Sequence, residues 1–368
     1  MPRGANRLRA LAGAVVNAIR KPARAARPPD PKRILVLHEL LLGDTLMLAP
    51  LLAGLRHRYP RSELFITANP AYADLFSEKP YGVRVLPFSE REPNCLAALA
   101  PAKDCDIAIL PGENRHAVAA RAVGAQWVMG FAGGKPAWRD SLVDERIAFP
   151  STPMALADIF MRLSGLPEDD AARLRYAAGD WPAPAFTPFD TPARPYVVLH
   201  VGAGSPLRLW DPQKWRSVAN SLAAQGLSVV WTSGKDETGL VGEIDPDSLY
   251  LSCAGRLDLP QLWHLLAGAR FAVTLDTGIA HMAKLTRTPV AALFGPGSTV
   301  LFGKGRFWDG NDFVEVTIAD LPCRDQRQVF KRNIAWVRRC NRTLAECPRA
   351  RCMEAITPEQ VISAFQVE

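Results

Sequence analysis

The stretch "FAVTLDTGIAHMAKLTRTPVAALFG", residues 271–295, decides the fold. Its first five residues form an apolar run that stops at Asp276. Thr277 and Gly278 follow, then a segment with helical spacing that runs to Arg287, and Pro289 opens a second apolar run ending at Phe294. A strand, a helix and a strand in this order predict a parallel pair joined by a crossover. Continuous apolar strands of this kind belong to sheets covered on both faces.

The same alternation recurs along the chain. In the first half "RILVLHEL" (33–40), "ELFITAN", "VRVLPF" and "DIAILPG" read as strands, and the spacing predicts a helix over 45–58 that Asp44 is well placed to cap. In the second half "YVVLHV" (196–201), "LSVVWTSG", "SLYLSCAG", "FAVTLD" and "PVAALFG" read as strands, with helices over "LPQLWHLLAGA" and "GIAHMAKLTR". Asp211 and Pro212 form an N-cap and first-turn pair for a further helix that Gly226 ends. At 368 residues the chain exceeds the usual size of a single core, and the proline-rich "GDWPAPAFTPFDTPARP" (179–195) is the natural hinge. The expected organisation is a basic leader and linker (1–31), a first domain (32–188) and a second domain with a basic C-terminal segment (189–368), both domains α/β and doubly wound.

Charge is unevenly placed. The net +7 of the chain divides into +8 over residues 1–33, +7 over residues 323–351 and −8 elsewhere. No zinc-finger, RNA-recognition or basic-zipper pattern accompanies the basic segments, so nucleic acid is not an expected partner. In "NRLRALAGAVVNAIRK" Leu8, Leu11, Ala12, Val15, Val16 and Ile19 recur on one helix face, with Arg3, Arg7, Arg20 and Lys21 off it. That pattern predicts a basic amphipathic helix on an anionic membrane surface, through residues 1–27, with a signal peptide or a disordered leader as the alternatives. Phe330, Ile334 and Val337 repeat the helical spacing among arginines, so 324–342 is read either as a second contact to anionic lipid or a phosphorylated glycan, or as a solvated helix face. Seven cysteines, none in a Cys-x-x-Cys pair, fit a reduced setting, and no metal site is expected. "DCD" (104–106) mimics a metal-binding Asp-x-Asp but stands at the start of a strand, the wrong end for catalysis, and is read as structural.

In doubly wound folds ligands gather at the carboxyl ends of the strands. Three loops there carry polar residues. "HVGAGSP" lacks the third glycine of a dinucleotide fingerprint, having Leu207 in its place, and the next strand does not end in an acid; a nicotinamide enzyme is disfavoured. Gly202 and Gly204 let backbone N–H groups approach a phosphate, Arg208 adds charge, and a plain tight turn is the alternative. At 276–281 the helix start welcomes an anion; either Asp276 accepts sugar hydroxyls and His281 reaches a diphosphate oxygen, or Asp276 caps the helix and His281 packs on the sheet. Asp44, after Gly43, is either a cap or a catalytic base.

Taken together, "ILVLHELLLGDTLMLAPLLAGLRHRYP", "YVVLHVGAGSPLRLWDPQKWRSVANSLAAQG", "WTSGKDE" and above all "DTGIAHMAKLTRTPVAALFGP" resemble glycosyltransferase family 9, the ADP-heptose:lipopolysaccharide heptosyltransferases and their relatives. The resemblance spans residues 32–300, with an echo in "CMEAITPEQV". It implies a GT-B fold, two Rossmann-like domains facing across a cleft, the first on the acceptor side and the second binding a nucleotide sugar. It further implies inverting, metal-independent transfer of a sugar, foremost heptose from ADP-heptose, to a lipopolysaccharide core or related cell-surface glycan. No cofactor beyond that donor is implied, and the place of action is the cytoplasmic, inner face of the cytoplasmic membrane. By position, Asp44 matches the family's general base, Gly202, Ala203, Gly204, Thr277 and Gly278 its donor-cradling loops, Asp276 and His281 its donor site, and Glu237 a nucleoside-reading position. Arg208 stands where many members have lysine. A nucleotide-sugar epimerase and a non-catalytic nucleotide-sugar binder are the alternatives. The reading requires residue 44 to face the groove and residue 276 to be reachable from solvent.

Overall fold

The computed structural model describes residues 4, 6, 10–14, 26–192 and 195–365. They form two compact units. The first runs to Pro184 and takes back Gln328–Ala335; the second comprises Ala185–Arg327 and the chain from Trp336. The expected boundary at 188/189 left the whole C-terminal segment in the second domain, so the return of 328–335 to the first unit is a difference.

Each unit is built on a six-stranded parallel sheet. In the first, β1 (Arg33–Val36), β2 (Glu63–Ala68), β3 (Val83–Pro87), β4 (Ile107–Leu110), β5 (Trp127–Phe131) and β6 (Glu145–Ile147) lie in the order β3-β2-β1-β4-β5-β6. In the second, β7 (Tyr196–His200), β8 (Ser228–Thr232), β9 (Leu251–Ser252), β10 (Phe271–Leu275), β11 (Val290–Phe294) and β12 (Phe313–Thr317) lie in the order β12-β11-β10-β7-β8-β9. Winding reverses between β1 and β4 in one sheet and between β7 and β10 in the other. A crevice opens at such a switch point, because the two loops leave toward opposite faces.

The central strands explain the pattern read from sequence. Every residue of β7, β10 and β11 is buried, so no polar face breaks their apolar runs. Asp211 caps the helix Pro212–Ala224 by accepting the N–H groups of Gln213 and Lys214, and that helix lays Trp215, Val218 and Leu222 on the sheet.

Three local expectations are corrected. The helix expected over 45–58 is two: α1 (Leu42–Leu46) and α2 (Ala49–Arg58), with Asp44 inside the first turn of α1 and Leu41 at its N-cap. Pro50 is the cause, since its ring collides with the carbonyl four residues back and it has no N–H to give. The helical reading of 324–342 fails as well. Gln328–Val329 (β13) and Arg332–Asn333 (β14) pair antiparallel around Phe330 and Lys331, both at positive φ as a tight hairpin turn requires. Nor is the hairpin's arginine a lipid contact. Arg332 is 2% exposed, and its guanidinium donates to the carbonyls of Ala132 (2.8 Å), Gly112 (3.0 Å) and Phe131 (2.8 Å), pinning the hairpin to the first unit. In the second unit Arg324 is likewise spent on the carbonyls of Gly295, Phe294 and Ile318, and Arg342 on Asp325.

Most of the expected amphipathic leader, including Leu8, Val15, Val16, Ile19, Arg3, Arg7, Arg20 and Lys21, lies outside the described residues. Within them, Asn6 donates to the carbonyls of Glu90 (3.2 Å) and Glu92 (2.8 Å), and Ala10 is buried while Leu11 is 48% exposed. Among the described residues no helix is long and apolar enough to cross a membrane.

The pinning by Arg332 predicts a measurable cost. Arg332→Met takes the guanidinium from the carbonyls of Gly112 and Ala132 and one of two donors from that of Phe131, which Asn114 Nδ2 still serves, and should lower stability by roughly 1–3 kcal/mol, read as a shift of the urea midpoint. Lys331→Met, at the exposed turn, should stay within about 0.5 kcal/mol.

Candidate functional site

Each unit gathers polar residues at its own switch point. In the second unit the chain leaves β10 through Asp276, and Thr277 caps α5 (Gly278–Thr286; α3 and α4 denote Pro212–Ala224 and Leu259–Ala267) by accepting the N–H of Ile279 at 3.3 Å. Thr277, not Asp276, is therefore the cap. Thr277 and Gly278 are half-buried, and they present the positive end of a nine-residue helix.

Asp276 departs from expectation: it is 5% exposed, closed off from solvent rather than open to sugar hydroxyls, so the access required of it is not met and the functional reading rests instead on the helix tip, Arg208 and the family resemblance. Its Oδ2 has no hydrogen-bond partner among the described residues, and Gly297 makes room for it, since a Cβ there would stand 1.9 Å away. Burial pushes its carboxyl above the ordinary range, against the pull of Arg208, Arg339 and Lys284. Its backbone carbonyl accepts Arg208 Nη1 at 2.6 Å, so Asp276 holds the guanidinium that the loop after β7 delivers. His281, 4% exposed, has an unpartnered Nδ1, and burial, then Lys284 and Arg208, hold it well below the usual histidine value. It is a neutral imidazole.

The other donor-loop candidates sort by exposure. Gly202 is buried, and a Cβ on it would meet Glu237 Oε2 at 2.1 Å. The Glu237 carboxylate accepts the N–H of Ala203 (2.8 Å) and of Gly234 (3.1 Å), tying the loop after β7 to the loop after β8. Two of its lone-pair directions are thereby taken, which leaves part of the carboxylate for a ligand. Gly204 is exposed, with open space where its Cβ would be.

In the first unit Asp44 is half-buried, at the third position of α1, and lines a cavity of about 200 Å³. Its negative charge adds to burial in pushing the Tyr72 phenol up. Around the same cavity stand His38, Glu39, Glu113, Arg115 and His116, none of which the sequence reading singled out. Arg115 donates to Glu39 (2.9 Å) and to His116 Nε2 (3.2 Å), and His116 Nδ1 is 3.1 Å from Glu90. Glu39 also accepts from Ser89 Oγ (3.0 Å) and from the N–H of Glu90 (3.1 Å). Lys331 lies 2.9 Å from Glu113. Their one sequence signal was position, just past β1 and β4.

A family match now joins this geometry. Residues 101–332 match glycosyltransferase family 9 (heptosyltransferase), nearly two thirds of the chain. The chain belongs to glycosyltransferase family 9. The matched span includes the loops of the second unit and leaves Asp44 outside. Over 139 residues the chain is 32% identical to lipopolysaccharide heptosyltransferase 3 of Escherichia coli, covering 36% of this chain and 40% of that protein. Over 149 residues it is 30% identical to lipopolysaccharide heptosyltransferase 1 of Pseudomonas aeruginosa, covering 38% and 42%. The aligned stretch thus spans about two fifths of these curated relatives. The solved ADP-heptose lps heptosyltransferase II of E. coli shares the fold, with a TM-score of 0.65 over 91% of this chain and 97% of that one at 18% identity.

"DCD" is structural in this family member: Asp106 accepts the N–H groups of Lys32 (2.8 Å) and Arg33 (3.0 Å) at the start of β1. Among the described residues no cluster of His, Cys, Asp or Glu has the geometry to hold a metal ion, and all seven cysteines are free.

Asp276 offers a pH test. Because its folded pKa is raised, the folded chain holds that proton more tightly than the unfolded chain, and stability is lost as pH climbs from the ordinary carboxylate value near 3.8 through the raised folded value. Asp276→Asn should match the wild type below that window and exceed it above, in urea unfolding at pH 3.5 and 7.5. A variant less stable at pH 7.5 would reject the uncompensated carboxylate.

Proposed function

We propose that this chain is an inverting glycosyltransferase that moves heptose from ADP-heptose to a lipopolysaccharide core or related cell-surface glycan. Support comes from the family, from the heptosyltransferase names of its relatives, and from one observation above the others: a helix N-terminus backed by Arg208 and by the buried pair Asp276 and His281. A diphosphate is the ligand such a place suits, because free N–H groups and a guanidinium meet its charge without a metal.

In this reading the second unit holds the donor. Gly204, Thr277 and Gly278 lie against the diphosphate through backbone N–H groups, Ala203 gives its N–H to Glu237 and so holds the loop in place, Arg208 neutralises the leaving ADP, and the unused part of Glu237 faces the nucleoside. Gly202 serves by its lack of a side chain, leaving Glu237 in place. Asp276 and His281 act from beneath: Asp276 fixes Arg208, and neutral His281 adds no charge to the tip. The carboxylate of Asp44 takes the proton of the acceptor hydroxyl as that oxygen attacks the anomeric carbon opposite the leaving diphosphate. The chemistry calls on no cofactor. We further propose that the chain works at the cytoplasmic face of the inner membrane, with residues 1–27 as its contact to anionic lipid; Arg324 and Arg332 are removed from that role by their bonds to internal carbonyls.

Asp44→Asn tests the proposal. Loss of a positioned base should cut kcat roughly 10²- to 10⁴-fold, followed as ADP release with heptose-deficient lipopolysaccharide, while calorimetric binding of ADP-heptose is retained. Undiminished turnover would remove Asp44 from the mechanism. In a thermal-shift screen of ADP-, GDP-, UDP- and dTDP-sugars, ADP-heptose should stabilise most, and a stronger response to another nucleotide would replace the donor.

A further inference from the structure

His38 stands two residues past β1, is 1% exposed, and lines the cavity that Asp44 lines. Its backbone is clamped from both sides by Thr67, whose Oγ1 accepts the His38 N–H at 2.7 Å and donates to the His38 carbonyl at 2.8 Å. The ring is fixed as well. Leu40 N–H donates to His38 Nδ1 at 3.2 Å, so Nδ1 carries no proton and the neutral ring must carry it on Nε2. That Nε2 is buried and has no hydrogen-bond partner among the described residues. A buried N–H left unpaired costs free energy, and in a clamped, oriented side chain beside a cavity the missing partner is naturally a ligand.

The charge pattern around the cavity says which ligand oxygen. Glu39 is paired with Arg115 and Glu113 with Lys331, so these charges of the wall are matched, and His116, whose Nε2 accepts from Arg115, adds a neutral ring. Burial, then the neighbouring His116, pushes His38 down to about 3, which keeps it uncharged throughout the physiological range. A neutral donor binds a hydroxyl or ring oxygen without adding positive charge beside Asp44. Positive charge there would weaken the carboxylate as a base.

We infer that His38 is an acceptor-binding residue, donating its Nε2–H to a neutral oxygen of the acceptor sugar held beside Asp44. This rests on the glycosyltransferase reading above and assigns that reading a further contact. The orienting clamp, Thr67, comes from β2, and the charged and titratable residues that line the same cavity are Glu39, Asp44, Glu113, Arg115 and His116.

The test uses the full chain, ADP-heptose and heptose-deficient lipopolysaccharide stripped of its ester-linked acyl chains. His38→Leu removes the donor at similar volume and should raise the acceptor KM about tenfold, with the affinity for ADP-heptose unchanged. His38→Gln, which keeps an N–H at similar reach, should recover most of that loss. Equal kinetics in wild type and His38→Leu, or a loss that glutamine fails to recover, overturns the inference. Nitrogen-15 NMR of labelled histidine decides independently of turnover: His38 should show the Nε2–H tautomer without titration between pH 5.5 and 7.5, and its Nε2–H resonance should shift when the lipopolysaccharide probe is added. An Nδ1–H tautomer, a titration in that range or an unmoved resonance overturns it. A wild type that binds ADP-heptose but transfers nothing counts against the functional reading, whereas the NMR result alone speaks for or against His38.

Discussion

A parallel strand buried on both faces admits few polar side chains along its length, Thr274 within β10 and His200 at the end of β7 being buried exceptions, and this constraint distributes the chemistry of the molecule. β7, β10 and β11 contain no exposed position, so the polar residues connected with them are displaced to their carboxyl ends: Gly202–Arg208, Asp276–Gly278 and their neighbours. β1 and β4 do the same for His38–Asp44 and Gly112–His116. Because winding reverses between these central strands, their loops part and leave a crevice at each switch point. The hydrophobic burial that stabilises each sheet also determines where a ligand can bind.

Polar groups drawn into such crevices are costly, and the structure compensates them unequally. Arg332 is satisfied by carbonyls, and Lys284, buried within α5, donates to the carbonyls of Gly303 and Lys304 and lies 4.1 Å from the Phe313 ring centroid. These charges hold loops in place. Asp276 Oδ2, His281 Nδ1 and His38 Nε2 are left without hydrogen-bond partners among the described residues. Unsatisfied buried groups are rare in native proteins, and these three stand at the switch points, where the proposed function puts a ligand.

Much of the fold was legible because the buried central strands and their caps carry strong local signals. Nine strands were readable from apolar runs. β5, β6 and β12 were not: β6 has no fully buried residue, β12 alternates as an edge strand does, and "WVMGF" of β5 includes glycine and methionine. The hairpin at 328–333 was read as helix because Phe330, Ile334 and Val337 mimic helical spacing, although their contacts are set by tertiary structure: Phe330 stacks near Phe160 in the first unit while Val337 is buried in the second. Asp276 and His281 could be named as candidates because they stand next to a motif, although their burial could not be read there. His38, Glu39, Arg115 and His116 were missed, since each is ordinary by itself and becomes informative only when β1 and β4 are adjacent in space.

The two switch points differ in electrostatic character, and the difference suits two kinds of chemistry. In the second unit Arg208, Arg339 and Lys284 create, beside a helix tip, a positive setting that opposes but does not overcome the effect of burial on Asp276. A preorganised setting of that kind stabilises negative charge that grows as a diphosphate departs. In the first unit cations and carboxylates are paired one with another, Arg115 with Glu39 and Lys331 with Glu113, and the imidazole beside Asp44 is neutral. A carboxylate beside unpaired cations is held in its charged form, a setting unfavourable to a base. On the proposed function, two sheets of one topology take opposite tasks through the residues at their strand ends, one to receive charge and the other to receive a proton.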